Sequence, residues 1–205
     1  MSCAAELAKE GYAVLAFDQC GFGLRLMEGR DFYERYPAWS RLGRMVHDVQ
    51  RAVDFLSDGR GASQSELPKV RGDQIYVVGY SLGGAVGLYA AALGGRMTGV
   101  SCFAGFTPLR TDTDQRPTGG IRQLWEWHAL QPKLGLFHGR EAEIPYDFDD
   151  VLALIAPRPC LIVSPQRDRF ATHADVVACV NKARAAWNAR GAVGQLTHLT
   201  PDDIS

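Results

Sequence analysis

The chain has 205 residues, 46% hydrophobic and 22% charged, with 22 Lys and Arg against 23 Asp and Glu. That length and balance fit one domain, residues 1–205, built around a single sizeable core. A formal charge of −1 leaves no basic footprint for nucleic acid or an anionic membrane, and no apolar run approaches the roughly 20 residues of a membrane span. The start is charged by Glu6 and has no apolar h-region, so no signal peptide is expected. Five cysteines (Cys3, Cys20, Cys102, Cys160 and Cys179) show neither paired nor zinc-type spacing. An odd, scattered set suits a reducing compartment, so a cytoplasmic protein is expected.

Residues 2–10 read as a helix stopped by Gly11, and residues 12–17 (Tyr-Ala-Val-Leu-Ala-Phe) as a buried strand ended by Asp18. Residues 37–56 space Leu42, Met45, Val46, Val49, Val53 and Leu56 at helical intervals. A polar Gly/Ser-rich loop over 59–72 leads to a strand at 74–80, a small-residue helix at 82–93 and a strand at 100–106. An irregular insertion, 107–148, then precedes a short helix at 149–155, a strand at 160–163, a helix at 173–190 and a last strand at 195–200. Strands alternating with helices predict an α/β fold, with about five strands in a mostly parallel, doubly wound sheet and helices on both faces.

The segment Gly79-Tyr80-Ser81-Leu82-Gly83-Gly84 carries the chemistry. It fits Gly-x-Ser-x-Gly, with a strand running into it and a helix leaving it. So sharp a turn calls for glycine at 79 and 83, where a Cβ is expected to meet neighbouring backbone. It lifts the Ser81 hydroxyl to a helix N-terminus, where developing negative charge is favoured. Ser81 is therefore the expected nucleophile, and the Leu82 N–H the expected oxyanion donor.

With these residues in view, the chain resembles the α/β-hydrolase family over nearly its whole length. Residues 16–23, Ala-Phe-Asp-Gln-Cys-Gly-Phe-Gly, resemble that family's strand and Asp-x-x-Gly-x-Gly turn. Residues 28–37 and the Ile-Ala-Pro-Arg-Pro of 155–159 look like the acetyl xylan esterase and dienelactone hydrolase-like branch. Dienelactone hydrolases proper use a cysteine at the elbow, so the serine here favours an esterase. The resemblance puts the acid in the loop after the strand at 160–163, which is Asp168, against the plainer reading of a solvated carboxylate paired with Arg167 or Arg169. The base then follows in the order Ser, Asp, His. His198 is the histidine near the last strand and is the expected base; His173, or no intact base, are the alternatives. The family's histidine usually follows that strand, near Ile204 or Ser205. His47 reads as a helix-packing residue, and His128 and His138 belong to the insertion.

The resemblance also implies that the family's first three strands and its His-Gly oxyanion loop have no counterpart upstream of Ser81, with the Cys20–Gly23 turn as a substitute donor. The bare sheet edge this leaves suggests a homo-oligomer. Trp125 and Trp127 line a pocket or pack; Phe22, Phe32, Tyr33 and Tyr36 form another candidate wall; Arg25 and Arg30 contact an acidic substrate group or stay solvated. The expected function is a serine esterase acting on small short-acyl carboxylic esters through an acyl-enzyme, with no cofactor and no metal. A degenerate hydrolase fold that binds without turnover, or an amidase or thioesterase on the same scaffold, are the competing readings.

Overall fold

The computed structural model describes residues 3–58 and 70–204, which divide into two compact units, residues 1–75 and 76–205. Most of the expected loop over 59–72 lies outside the described residues.

In the first unit, α1 (Cys3–Lys9) ends at Gly11, whose φ of +89° suits a residue without a Cβ. The strand expected at 12–17 does not form. Among the described residues, the sheet contains no strand from this unit, and Tyr12, Val14, Leu15 and Phe17 are 41–58% exposed. An apolar run becomes a strand only where a neighbour satisfies its N–H and C=O groups, and no ladder reaches this one. The Asp18-x-x-Gly-x-Gly turn is held from within. Asp18 Oδ2 accepts the Leu24 N–H at 2.8 Å, and the N–H groups of Gly21, Phe22 and Arg25 bond to Arg25, Gln19 and Phe22 carbonyls. Four of the turn's donors are therefore already committed inside it.

The short helices α2 (Leu26–Gly29) and α3 (Phe32–Arg35) follow. Helix α4 (Arg41–Asp58) starts four residues later than expected, because Ser40 Oγ accepts the Gly43 N–H and caps it there. Its Leu42, Met45, Val46, Val49 and Val53 are buried, as their spacing predicts. Arg25 is tied to Glu28 at 2.6 Å and Asp48 at 2.8 Å, which gives it a structural role.

The second unit is a four-stranded parallel sheet in the order β1 (Tyr76–Tyr80), β2 (Gly99–Phe103), β3 (Cys160–Val163), β4 (Leu196–Leu199). Parallel neighbours need crossover connections, and α5 (Leu82–Leu93), α6 (Phe148–Ala153) and α7 (His173–Asn188) lie in them. Val77, Val100, Cys160 and Leu196 share one row across the ladder. Helix α5 lies against this face: a Cβ on its Gly87 would stand 3.2 Å from Val77 and 3.5 Å from Val100. Buried Val176, Cys179, Val180, Ala183 and Trp187 form the apolar stripe of α7, and Trp187 Nε1 donates to the Arg158 carbonyl at 3.1 Å. Among the described residues, no helix is long and apolar enough to cross a membrane.

A buried carboxylate joins the two ends of the long insertion. Buried Asp147 caps α6 through the Phe148 N–H at 2.7 Å and accepts the Leu109 and Arg110 N–H groups at 2.7 and 3.0 Å. Replacing it with alanine strands three N–H groups, at least two of them buried. Asp147→Ala is therefore expected to cost about 3 kcal/mol, read from a urea melt.

Candidate active site

Strand β1 ends at Tyr80 and α5 begins at Leu82, so Ser81 alone makes the turn. Its φ of 51° and ψ of −123° put a non-glycine residue in strained backbone, held by Ser81 N–H to the Phe103 carbonyl (2.8 Å) and by Ala85 N–H to the Ser81 carbonyl (3.1 Å). A Cβ on Gly79 would overlap the Gly83 carbonyl and lie 2.5 Å from Gly84 N. The expectation for Gly83 is corrected: a Cβ there meets nothing within 4 Å. Gly84 carries the constraint instead, since its Cβ would stand 2.9 Å from Cys102 Sγ and 3.1 Å from both Gly105 Cα and the Gly79 carbonyl. Leu82 opens the helix, so its N–H has no acceptor in the preceding turn and projects from the N-terminus.

Ser81 lines a cleft of about 290 Å³ together with Ala104, Gln123, Trp127, His128 and Asp168. Asp168 sits in the loop after β3, where Oδ1 accepts the Phe170 N–H at 2.8 Å. Phe170 is held in turn through its carbonyl, which accepts from Gly119 N at 2.7 Å and Thr107 Oγ1 at 2.9 Å. Arg167 pairs with Asp202 at 2.7 Å and Arg169 lies over the Phe170 ring at 4.5 Å, so among the described residues neither takes the Asp168 carboxylate as a salt-bridge partner.

His128 follows a π-helical turn (Gln123–Trp127) that carries Gln123 and Trp127 to the same wall. Ala129, next in the chain, has φ +47°. Among the described residues, four non-glycine residues have positive φ; two of them, Ser81 and Ala104, line the cleft, and Ala129 adjoins it through His128. Such strain collects where structure is held for function. Nothing in the periodicity of the insertion singled out His128; the Trp-Glu-Trp-His run was its only signal. Of the two tryptophans, Trp127 lines the cleft, whereas Trp125 packs against His138, with ring centroids 5.8 Å apart.

His198 is not brought to Ser81. It lies within β4, and the ladder pairs it through Ile162 and Cys102 with Gly79. Three strand spacings separate His198 from that row's first strand, about 14 Å, which is beyond an imidazole's reach. Its Nε2 bonds Ser164 Oγ at 2.7 Å. Burial, with His173 and Arg184 nearby, holds its pKa below the ordinary imidazole value. As pH falls, the unfolded chain takes this proton first, so stability falls below about pH 6.5. The thermal midpoint is expected to drop between pH 7 and pH 5, and His198→Gln to shrink that drop.

The buried thiols of Cys20, Cys102 and Cys160 are no rivals to Ser81. Burial pushes Cys102 and Cys160 up to about 12, and Cys20 upward as well. Among the described residues, no group of three or more His, Cys, Asp or Glu could hold a metal ion.

The sequence pattern of the alpha/beta hydrolase family matches residues 2–203, and the chain belongs to that family. No curated protein matches the sequence. Among solved structures, the chain is similar to a promiscuous CE15 esterase from a marine bacterial metagenome, at 18% identity and a TM-score of 0.67, covering 82% of this chain and 44% of that one. It is also similar to a CE15 glucuronoyl esterase from Caldicellulosiruptor kristjansonii (19%, TM-score 0.65, 84% and 49%) and to a glucuronoyl esterase from Sporotrichum thermophile (18%, TM-score 0.67, 79% and 46%). The chain spans less than half the length of these structures.

Proposed function

We propose that the chain is a serine esterase that hydrolyses small carboxylic esters with short acyl groups, through an acyl-enzyme on Ser81. The observation that carries this is one cleft lined by Ser81, in strained backbone at the start of α5, together with His128 and Asp168. A serine hydroxyl attacks only when a base removes its proton. His128 takes that role, Asp168 orients the imidazole, and the Leu82 N–H helps hold the oxyanion. Ser81 Oγ adds to the ester carbonyl as His128 accepts its proton. The tetrahedral intermediate collapses, and the imidazolium protonates the departing alcohol. Water, deprotonated by the same imidazole, then frees the acid and restores Ser81. These steps need no cofactor.

The esterase neighbours support ester over amide chemistry, and a glucuronoyl esterase variant solved in complex with methyl 4-O-methyl-β-D-glucopyranuronate adds methyl esters of hexuronic acids to the substrates worth testing. Matched ester, amide and thioester substrates, each with wild type and Ser81→Ala, decide the reaction class. Fast ester turnover that vanishes in the variant supports the proposal, and equal rates in both contradict it. The five unpaired thiols are consistent with a cytoplasmic location. Strand β1 lies at the sheet edge with Tyr76, Val78 and Tyr80 exposed, which favours a homo-oligomer. A monomer mass by light scattering at micromolar concentration contradicts that part.

A further inference from the structure

Asp168 lies in a loop between two fixed points, Ser164 at the end of β3 and His173 at the start of α7. The near side of this loop is fastened to the chain around and beyond β4. Ser164 N donates to the Leu199 carbonyl at 3.0 Å, Gln166 N to Pro201 at 2.9 Å and Arg167 N to Asp203 at 3.0 Å. Gln166, Arg167, Pro201 and Asp203 are all exposed. The Ser164 Oγ to His198 Nε2 bond, at 2.7 Å, is partly buried, and Ser164 itself is buried. His198 meets the near end of the loop. It bonds Ser164 at one end and interacts electrostatically with His173 at the other, where His173 Nδ1 is buried without a hydrogen-bond partner among the described residues.

We propose that His198 is a positioning residue that, through Ser164, holds the Asp168 loop against the cleft. It rests on the assignment of Asp168 as the acid. In the neutral tautomer that carries its proton on Nδ1, Nε2 accepts the Ser164 hydroxyl proton. The groups that face it are Ser164 from β3, and His173 and Arg184 from α7. Protonation replaces that acceptor with a donor and adds a cation beside two basic side chains. The bond to Ser164 then reverses, with Nε2–H donating to Oγ, and repulsion from His173 and Arg184 loosens the anchor of the Asp168 loop.

The test compares His198→Leu and His198→Gln with wild type in the full chain. Glutamine keeps an acceptor for Ser164 but does not titrate. Hydrogen exchange at the Phe170 amide, which Asp168 Oδ1 accepts, reads the loop without any need for catalysis. Exchange is expected to quicken about tenfold in the leucine variant and to return to near the wild-type rate in the glutamine variant. In ester turnover, kcat is expected to fall about tenfold in His198→Leu while KM stays within about twofold, and glutamine is expected to restore most of the loss. Unchanged Phe170 exchange in a folded leucine variant overturns the proposal. So does a loss above about 1,000-fold that glutamine fails to rescue, which makes His198 the base itself. If the wild type neither turns over esters nor reacts at Ser81, the catalytic assignment fails on its own, and Phe170 exchange still decides the positioning role.

Discussion

His128→Ala is expected to lower kcat for ester hydrolysis by about 1,000-fold, within the range that a positioned general base supplies. The loss follows from the chemistry of Ser81. Without a base beside it the hydroxyl keeps its proton, and the Leu82 N–H and the cleft walls alone supply the residual rate. His128→Gln is expected to be as poor, since an amide of similar shape accepts no proton at neutral pH. Because His128 is exposed at the cleft, neither change should move the thermal midpoint by more than about 2 °C. Steady-state kinetics on a short-chain ester check this beside a melting scan. Activity within tenfold of wild type in either variant removes His128 from the base position. A large loss in His128→Gln with a small one in His198→Gln separates the two histidines cleanly.

Gly79→Ala is expected to be the most damaging small substitution in the second unit. The added Cβ would overlap the Gly83 carbonyl and stand 2.5 Å from Gly84 N, and all of these are backbone atoms of the turn. Backbone gives way only by moving the start of α5 off β1, which also displaces Ser81 and the Leu82 N–H. A cost of about 3 kcal/mol or more is expected, at the upper end of overpacking effects. Gly83→Ala, whose Cβ meets nothing within 4 Å, is expected to cost less than about 1 kcal/mol. Urea melts of the two variants check the contrast, and equal losses contradict the geometry of the elbow.

Helix α5 and strand β3 were legible to the residue, because a short apolar run or small-residue stretch bounded by glycine and proline marks its own ends. Residues 12–17 show the limit of that signal. An apolar run records a preference for burial and extension but not a pairing partner, and without a ladder the segment is no strand. The elbow was legible as a pattern, although Gly84 and not Gly83 carries its second close approach. Asp168 lies in the loop after β3, the place the family resemblance implied for it. Position near the last strand favoured His198 as the base and left His128 in the insertion. Ladder register, a long-range property, sets His198 in the row of Gly79, and a π-helical turn inside an aperiodic insertion delivers His128 to the cleft.

The central claim is that Ser81 is an activated nucleophile, and intact-mass analysis after treatment with a fluorophosphonate tests it most directly, on wild type, Ser81→Ala and His128→Ala. One adduct on wild type, none on Ser81→Ala and slow labelling of His128→Ala is the predicted result. A folded wild type that takes no adduct, or an adduct that persists in Ser81→Ala, contradicts it.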